Sequence, residues 1–163
     1  MSVSKYADHV LILPEDAANE RIANSFVLHQ AVDANHVRVL PVARGWGRVV
    51  EIFELDLCKS LRVFPKRRVV LLVDFDEDTT RRAAIEARIP ADVRDRVFVL
   101  GTLSEPERLR KELGSYETIG TALAEDCHRH TDTTWSHPLL EHNKGELTRL
   151  RDQVRPFLFE LES

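Results

Sequence analysis

The 163-residue sequence predicts an α/β fold, a parallel four-stranded sheet covered by helices and followed by a C-terminal helical extension. Three observations carry this. Val69 to Val73 (VVLLV) is an unbroken apolar run, as expected of a strand buried on both faces at the centre of a parallel sheet. Strand-like and helix-like patterns alternate from residue 1 to 101, the signature of βαβ units. From Ser104 onward no further strand pattern occurs, only helical periodicity. The expected division is therefore 1–101 for the α/β core and 102–163 for the helical extension.

Taken in order, His9 to Leu13 (HVLIL) is a short strand stopped by Pro14, with Glu15 and Asp16 at its carboxyl end. Ala18, Ile22 and Phe26 recur at four-residue spacing, which predicts an amphipathic helix from Asp16 to about Gln30, with Asp16 as N-cap. His36 to Pro41 is the second strand. Gly45-Trp46-Gly47 marks a loop, and a helix runs from Arg48 towards Leu61. The central strand follows Pro65 and ends in Asp74, Asp76 and Asp78. Thr79 to Arg88 is a short helix, capped by Asp78 or Thr79 and ended by Pro90. Arg96 to Leu100 is the fourth strand, closed by Gly101.

In the extension, Ser104-Glu105-Pro106-Glu107 has the residues of a capping box with proline near the helix start. Tyr116 to Cys127 is a second helix. A third spans Leu139 to about Arg155, ended or kinked by Pro156, with Leu147, Leu150 and Val154 as its apolar stripe. Phe157-Leu158-Phe159 is expected to dock on the core or on a partner.

Composition bounds the functional classes. Hydrophobic content of 43% and charged content of 31% are ordinary for a soluble globular domain. A net charge of -4 argues against holding nucleic acid by bulk charge, and leaves room for a local basic patch. Arg44, Arg48, Lys66, Arg67, Arg68, Arg81 and Arg82 are candidates for such a patch; solvated helix and strand ends are the competing explanation. Cys58 and Cys127 are too few for a disulfide framework, no signal-peptide pattern opens the chain, and no apolar run reaches the ~20 residues of a membrane span. These features imply a cytoplasmic setting and no membrane partner. Cys127, His128, His130, His137 and His142 lack the regular spacing of a zinc site and read as solvated or capping groups.

The chemistry points to the strand ends. Parallel strands place their carboxyl ends on one edge, where ligands of open α/β sheets bind. Glu15 after the first strand and Asp74 with Asp76 after the third can therefore converge across about sixty residues of sequence. Asp74, Asp76 and Asp78 lie within five residues. Their mutual repulsion would be relieved by a cation, and hard carboxylate oxygens suit Mg²⁺ or Mn²⁺. A solvated acidic turn at a helix N-terminus is the plain alternative.

This order, a glutamate after the first strand and Asp-x-Asp after the third, resembles the Toprim domain of primases, topoisomerases, recombination proteins and overcoming-lysogenization-defect nucleases. The resemblance covers roughly residues 9 to 101. It extends to small stand-alone bacterial Toprim-like proteins, in which a helical tail follows the core. It implies that Glu15 serves as metal ligand or general acid/base and that Asp74 and Asp76 bind metal, with Asp78 a further ligand candidate. The implied activity is a Mg²⁺-dependent nuclease or phosphodiesterase acting on nucleic acid, in genome defence or DNA maintenance. With no Walker-A sequence in the chain, an ATP-driven step would need a separate ATPase as partner. Two departures stand out. Asn19 occupies the position where the nuclease branch carries a further acid, and Asp16 follows Glu15 where the family often has glycine. The alternative is a non-catalytic Toprim-like interaction module that binds a protein partner.

Overall fold

The computed structural model describes residues 3–159. Four strands, β1 (His9–Pro14), β2 (Val37–Val39), β3 (Arg67–Leu72) and β4 (Val97–Leu100), form one sheet in the order β2-β1-β3-β4. Every pairing is parallel. The α/β class and the four-stranded parallel sheet are as expected, and β3 lies between β1 and β4. Val69, Leu71 and Val73 enter one core and Val70 the other, as strand alternation requires. Leu72 is the exception to full burial. It is half-buried and lines an apolar cavity of about 70 Å³ on the face that carries Val70.

Each face of the sheet is covered by helices. On one face, α1 (Ala17–Val27), α6 (Tyr116–Arg129) and α7 (Lys144–Leu158) bury Ile22, Leu123 and Leu150 against Val10, Val70 and Phe98. On the other, α2 (Trp46–Ile52), a π-helical turn at Phe53–Leu57, and α3 (Cys58–Val63) form one rod. That rod and α4 (Arg81–Glu86) bury Phe53, Leu61 and Ile85 against Leu11, Leu71 and Val99. Residues 102–159 thus supply much of the cover over one sheet face, so the helices after Ser104 share a core with the strands.

Local chemistry explains most boundaries. Asp16 caps α1 by accepting from the Asn19 backbone N–H at 2.9 Å, and the helix ends at Val27, earlier than its apolar periodicity predicts. The Ser104 capping box does not form. Glu105 is the N-cap of α5 (Pro106–Leu113), no side chain caps it, and Ser104 is buried. Asp78 closes a turn onto Thr80, accepting from its N–H and its hydroxyl, and α4 begins only at Arg81. A 3₁₀ turn at Glu141–Asn143 precedes α7, which runs through Pro156 to Leu158. Proline in the last turn forfeits only one helical bond. Leu147, Leu150 and Val154 form the buried stripe, and Leu158 and Phe159 dock on the core.

One buried side chain ties the extension to the carboxyl edge. Asn143 is fully buried; its Oδ1 accepts from Gly101 N–H at 3.1 Å and from Arg82 Nη2 at 2.8 Å. Its Nδ2 donates to the carbonyls of Gly101 and Leu140. Asn143→Ala orphans these partners, and we expect it to cost about 2 kcal/mol in a denaturant melt. A loss below ~0.5 kcal/mol would mean that water replaces the amide.

Candidate metal site at the carboxyl edge

The strand order creates a switch point. The β1–α1 connection leads outward to β2, and the β3–α4 connection leads outward to β4 on the opposite side. Such a divergence opens a crevice beyond the carboxyl ends of the two central strands. The register pairs Pro14 with Leu72, so two residues further on Asp16 comes opposite Asp74.

Glu15, Asp16 and Asp74 each present a carboxylate oxygen into this crevice, and the three atoms lie within 4.8 Å of one another. Glu15 Oε1 accepts from the Asp74 backbone N–H at 3.0 Å. Asn19, buried on the first turn of α1, donates from Nδ2 to Asp74 Oδ1 at 2.9 Å. The position that matches an acid in the nuclease branch therefore holds an amide that orients Asp74. Burial, reinforced by the charges of Asp16 and Glu15, pushes the Asp74 carboxyl up to about 8, against the Asn19 hydrogen bond. Glu15 is also raised, chiefly by burial, then partly offset by the Asp74 N–H.

The other two predicted acids stand elsewhere. Asp76 and Glu77 adopt left-handed backbone, with φ of 47° and 60°. The chain turns away there, and Asp76 Oδ2 pairs with Arg81 Nη1 at 2.9 Å. The Asp78 carboxylate is engaged by Thr80. The structure gathers Glu15 and Asp74 with Asp16, and leaves Asp76 and Asp78 outside the cluster. Sequence spacing places Asp74 and Asp76 on one side of an extended strand, but two consecutive positive-φ residues end the alternation at Asp76.

Arg81, in the sequence only one of the basic-patch candidates, is bound to the acidic turn itself. Its side chain is 12% exposed; Nη1 also donates to the Asp74 carbonyl at 2.8 Å, and Nε is buried without a hydrogen-bond partner. Its guanidinium lies 4.9 Å from the Trp46 ring centroid. The signal in the sequence was an arginine one helical start after Asp-x-Asp, indistinguishable there from a solvated helix end.

The donor set suits a hard divalent cation. It offers oxygen only, from three carboxylates on two adjacent strand ends, and a bound cation would relieve the burial and mutual repulsion that raise the Asp74 carboxyl. Among the described residues no other set of three acidic, histidine or cysteine ligands converges in this way; His142 instead meets Gly101 O, and His137 pairs with Glu112. Among the described residues no helix is long and apolar enough to cross a membrane.

No protein-family model matches the chain, and neither does any curated protein or solved structure.

Proposed function

We propose that the chain is a Toprim-like, Mg²⁺- or Mn²⁺-dependent phosphodiesterase or nuclease acting on nucleic acid. The observation that carries this reading is the convergence of Glu15, Asp16 and Asp74 at the switch point between β1 and β3. Glu15 and Asp74 hold the ion, with Asp16 as third ligand in place of Asp76 or Asp78. When bound, the ion activates water and neutralises the phosphate. Asn19 keeps Asp74 Oδ1 in position. Glu15, raised chiefly by burial, is kept in position by the Asp74 backbone N–H that its Oε1 accepts. Arg81 restrains Asp76 next to the crevice. By resemblance to small stand-alone Toprim-like proteins, the biological setting is genome defence or DNA maintenance, with a separate ATPase as partner.

A second reading is supported by the amide at Asn19 and by the Asp76–Arg81 ion pair, which together remove two acids from the site. In that reading the chain is a non-catalytic interaction module for a protein partner. Thermal melts with increasing Mn²⁺ separate the two. The metal reading expects stabilisation that grows with concentration, about 2.7 kcal/mol at a hundredfold excess over the dissociation constant. An Asp74→Asn/Asp76→Asn double variant should lose both this response and Mn²⁺-dependent cleavage of plasmid and single-stranded substrates. Asp76→Asn alone should keep the melting response. A wild type that neither gains stability nor cleaves leaves the interaction module standing.

A further inference from the structure

We infer that the Arg44–Trp46 segment, which leads into α2, is a strand-binding element that selects single-stranded nucleic acid, with a phosphate on Arg44 and an unstacked base on Trp46. This rests on the reading of the chain as acting on nucleic acid, and it names the form of the substrate.

The loop is fastened to the acidic edge. The backbone N–H groups of Arg44 and Gly45 both donate to the Glu15 carbonyl, at 2.7 and 3.3 Å. Arg44 is exposed, adopts a φ of 71°, and its guanidinium makes no ion pair or hydrogen bond among the described residues. An uncommitted guanidinium on a backbone fastened next to Glu15 is available to an anion that approaches the crevice, and its fork geometry suits phosphate. The strained backbone at Arg44 is the kind of feature that clusters at ligand clamps.

Trp46 supplies the second half. It is among the exposed large apolar side chains, at 36% exposure. Arg81 stacks on its ring while holding the Asp74 carbonyl and Asp76, so the indole is pre-oriented and tied to the candidate metal site. Beyond the adjoining chain, no atom lies within 4 Å of where a Cβ would stand at Gly45 or Gly47, so no other part of the fold crowds the backbone on either side of the indole. The indole also lines a groove of about 490 Å³, whose apolar surface includes Val50, Leu55 and Ala84. The groove's acids are matched: Glu51 pairs with Arg48, and Glu54 with Arg88. Matched acids do not repel a polyanion as free ones would. The groove wall includes the π-helical turn at Phe53–Leu57, a distortion frequent at functional sites.

A pre-oriented indole at the start of α2, the groove it lines and an uncommitted cation two residues before it fit a ligand that joins a planar ring to a phosphate. Every base has a π-face, so such a platform is tolerant of sequence. In a duplex both faces of a base are already stacked, so the platform favours a single strand.

The test is a titration of the full chain with a thymidine oligonucleotide, free or annealed into a duplex, in EDTA so that no cleavage can occur. Trp135 is buried, which leaves Trp46 as the accessible reporter. The free strand should quench tryptophan emission, and the duplex should bind more weakly. By anisotropy of a labelled strand, Trp46→Ala should weaken binding by about tenfold, while Trp46→Phe retains most of it. Arg44→Ala, on an exposed loop side chain, should lower the salt dependence by about one ion. Equal affinity for strand and duplex, absence of quenching, or unchanged affinity in folded Trp46→Ala and Arg44→Ala overturns the inference. Strand binding without any Mn²⁺-dependent stabilisation sinks the metal-site reading and leaves this one standing. Mn²⁺ stabilisation without strand binding does the reverse.

Discussion

Gly101→Ala is expected to lower the melting temperature by roughly 10 °C, corresponding to about 3–5 kcal/mol for a chain of this size. Gly101 follows β4 at a φ of 156°, and a Cβ there would stand 1.7 Å from the Val73 carbonyl oxygen and 2.8 Å from its carbon. Neither side can yield easily. Val73 is fully buried and its N–H donates to Leu100 O at 2.9 Å. Gly101 is held by Asn143 at both its N–H and its carbonyl, and His142 Nε2 approaches the carbonyl at 2.9 Å. The displaced peptide would be the one preceding Asp74, so the variant should also blunt any Mn²⁺ response. Gly47→Ala is the control: it lies in α2 with open space around the added methyl, and should be neutral or stabilising by up to about 1 kcal/mol. Thermal melts followed by circular dichroism read both. Equal melting temperatures for the two variants would show that β3 and β4 can separate at this edge.

The second large effect is a change in the pH dependence of stability on Asp74→Asn. In the fold Asp74 titrates near 8, against 3.8 for the free side chain. Between those values the folded chain retains a proton that the unfolded chain has released. Stability is therefore greatest below the unfolded pKa and declines as pH rises through the folded one, by up to about 1.4 kcal/mol per pH unit. Glu15, also raised, adds in the same direction. Wild type should lose at least ~2 kcal/mol more than Asp74→Asn between about pH 5 and pH 8, measured in EDTA. The asparagine Oδ1 can still accept from Asn19, so the contact at 2.9 Å is kept while the buried charge is gone. Mn²⁺ should reverse the trend in wild type, because metal binding requires the ionised carboxylates. Parallel pH curves for the two proteins would mean that water or side-chain motion solvates Asp74 and no charge is trapped there.

The residues themselves determined the local elements. A run of Val and Leu at 69–73 has no polar face to expose, so it must lie inside a sheet covered on both sides. Asp16 before an apolar four-residue repeat caps a helix wherever that helix packs. Alternation of such elements leaves a parallel sheet as the consistent arrangement, and with it a shared carboxyl edge for Glu15 and Asp74. Only the tertiary structure decided that β4, not β2, is the second neighbour of β3, and fixed the register of β1 beside β3, because strand neighbours depend on which faces distant helices cover. That adjacency and its register brought Asp16 to Asp74. The outward turn of Asp76 was equally hidden. Its positive φ is set by the Phe75–Asp78 turn, the Glu77 N–H bond to Leu103 O and the Arg81 ion pair. None of these follows from Asp-x-Asp spacing, and the Leu103 contact joins groups whose proximity exists only after the chain has folded.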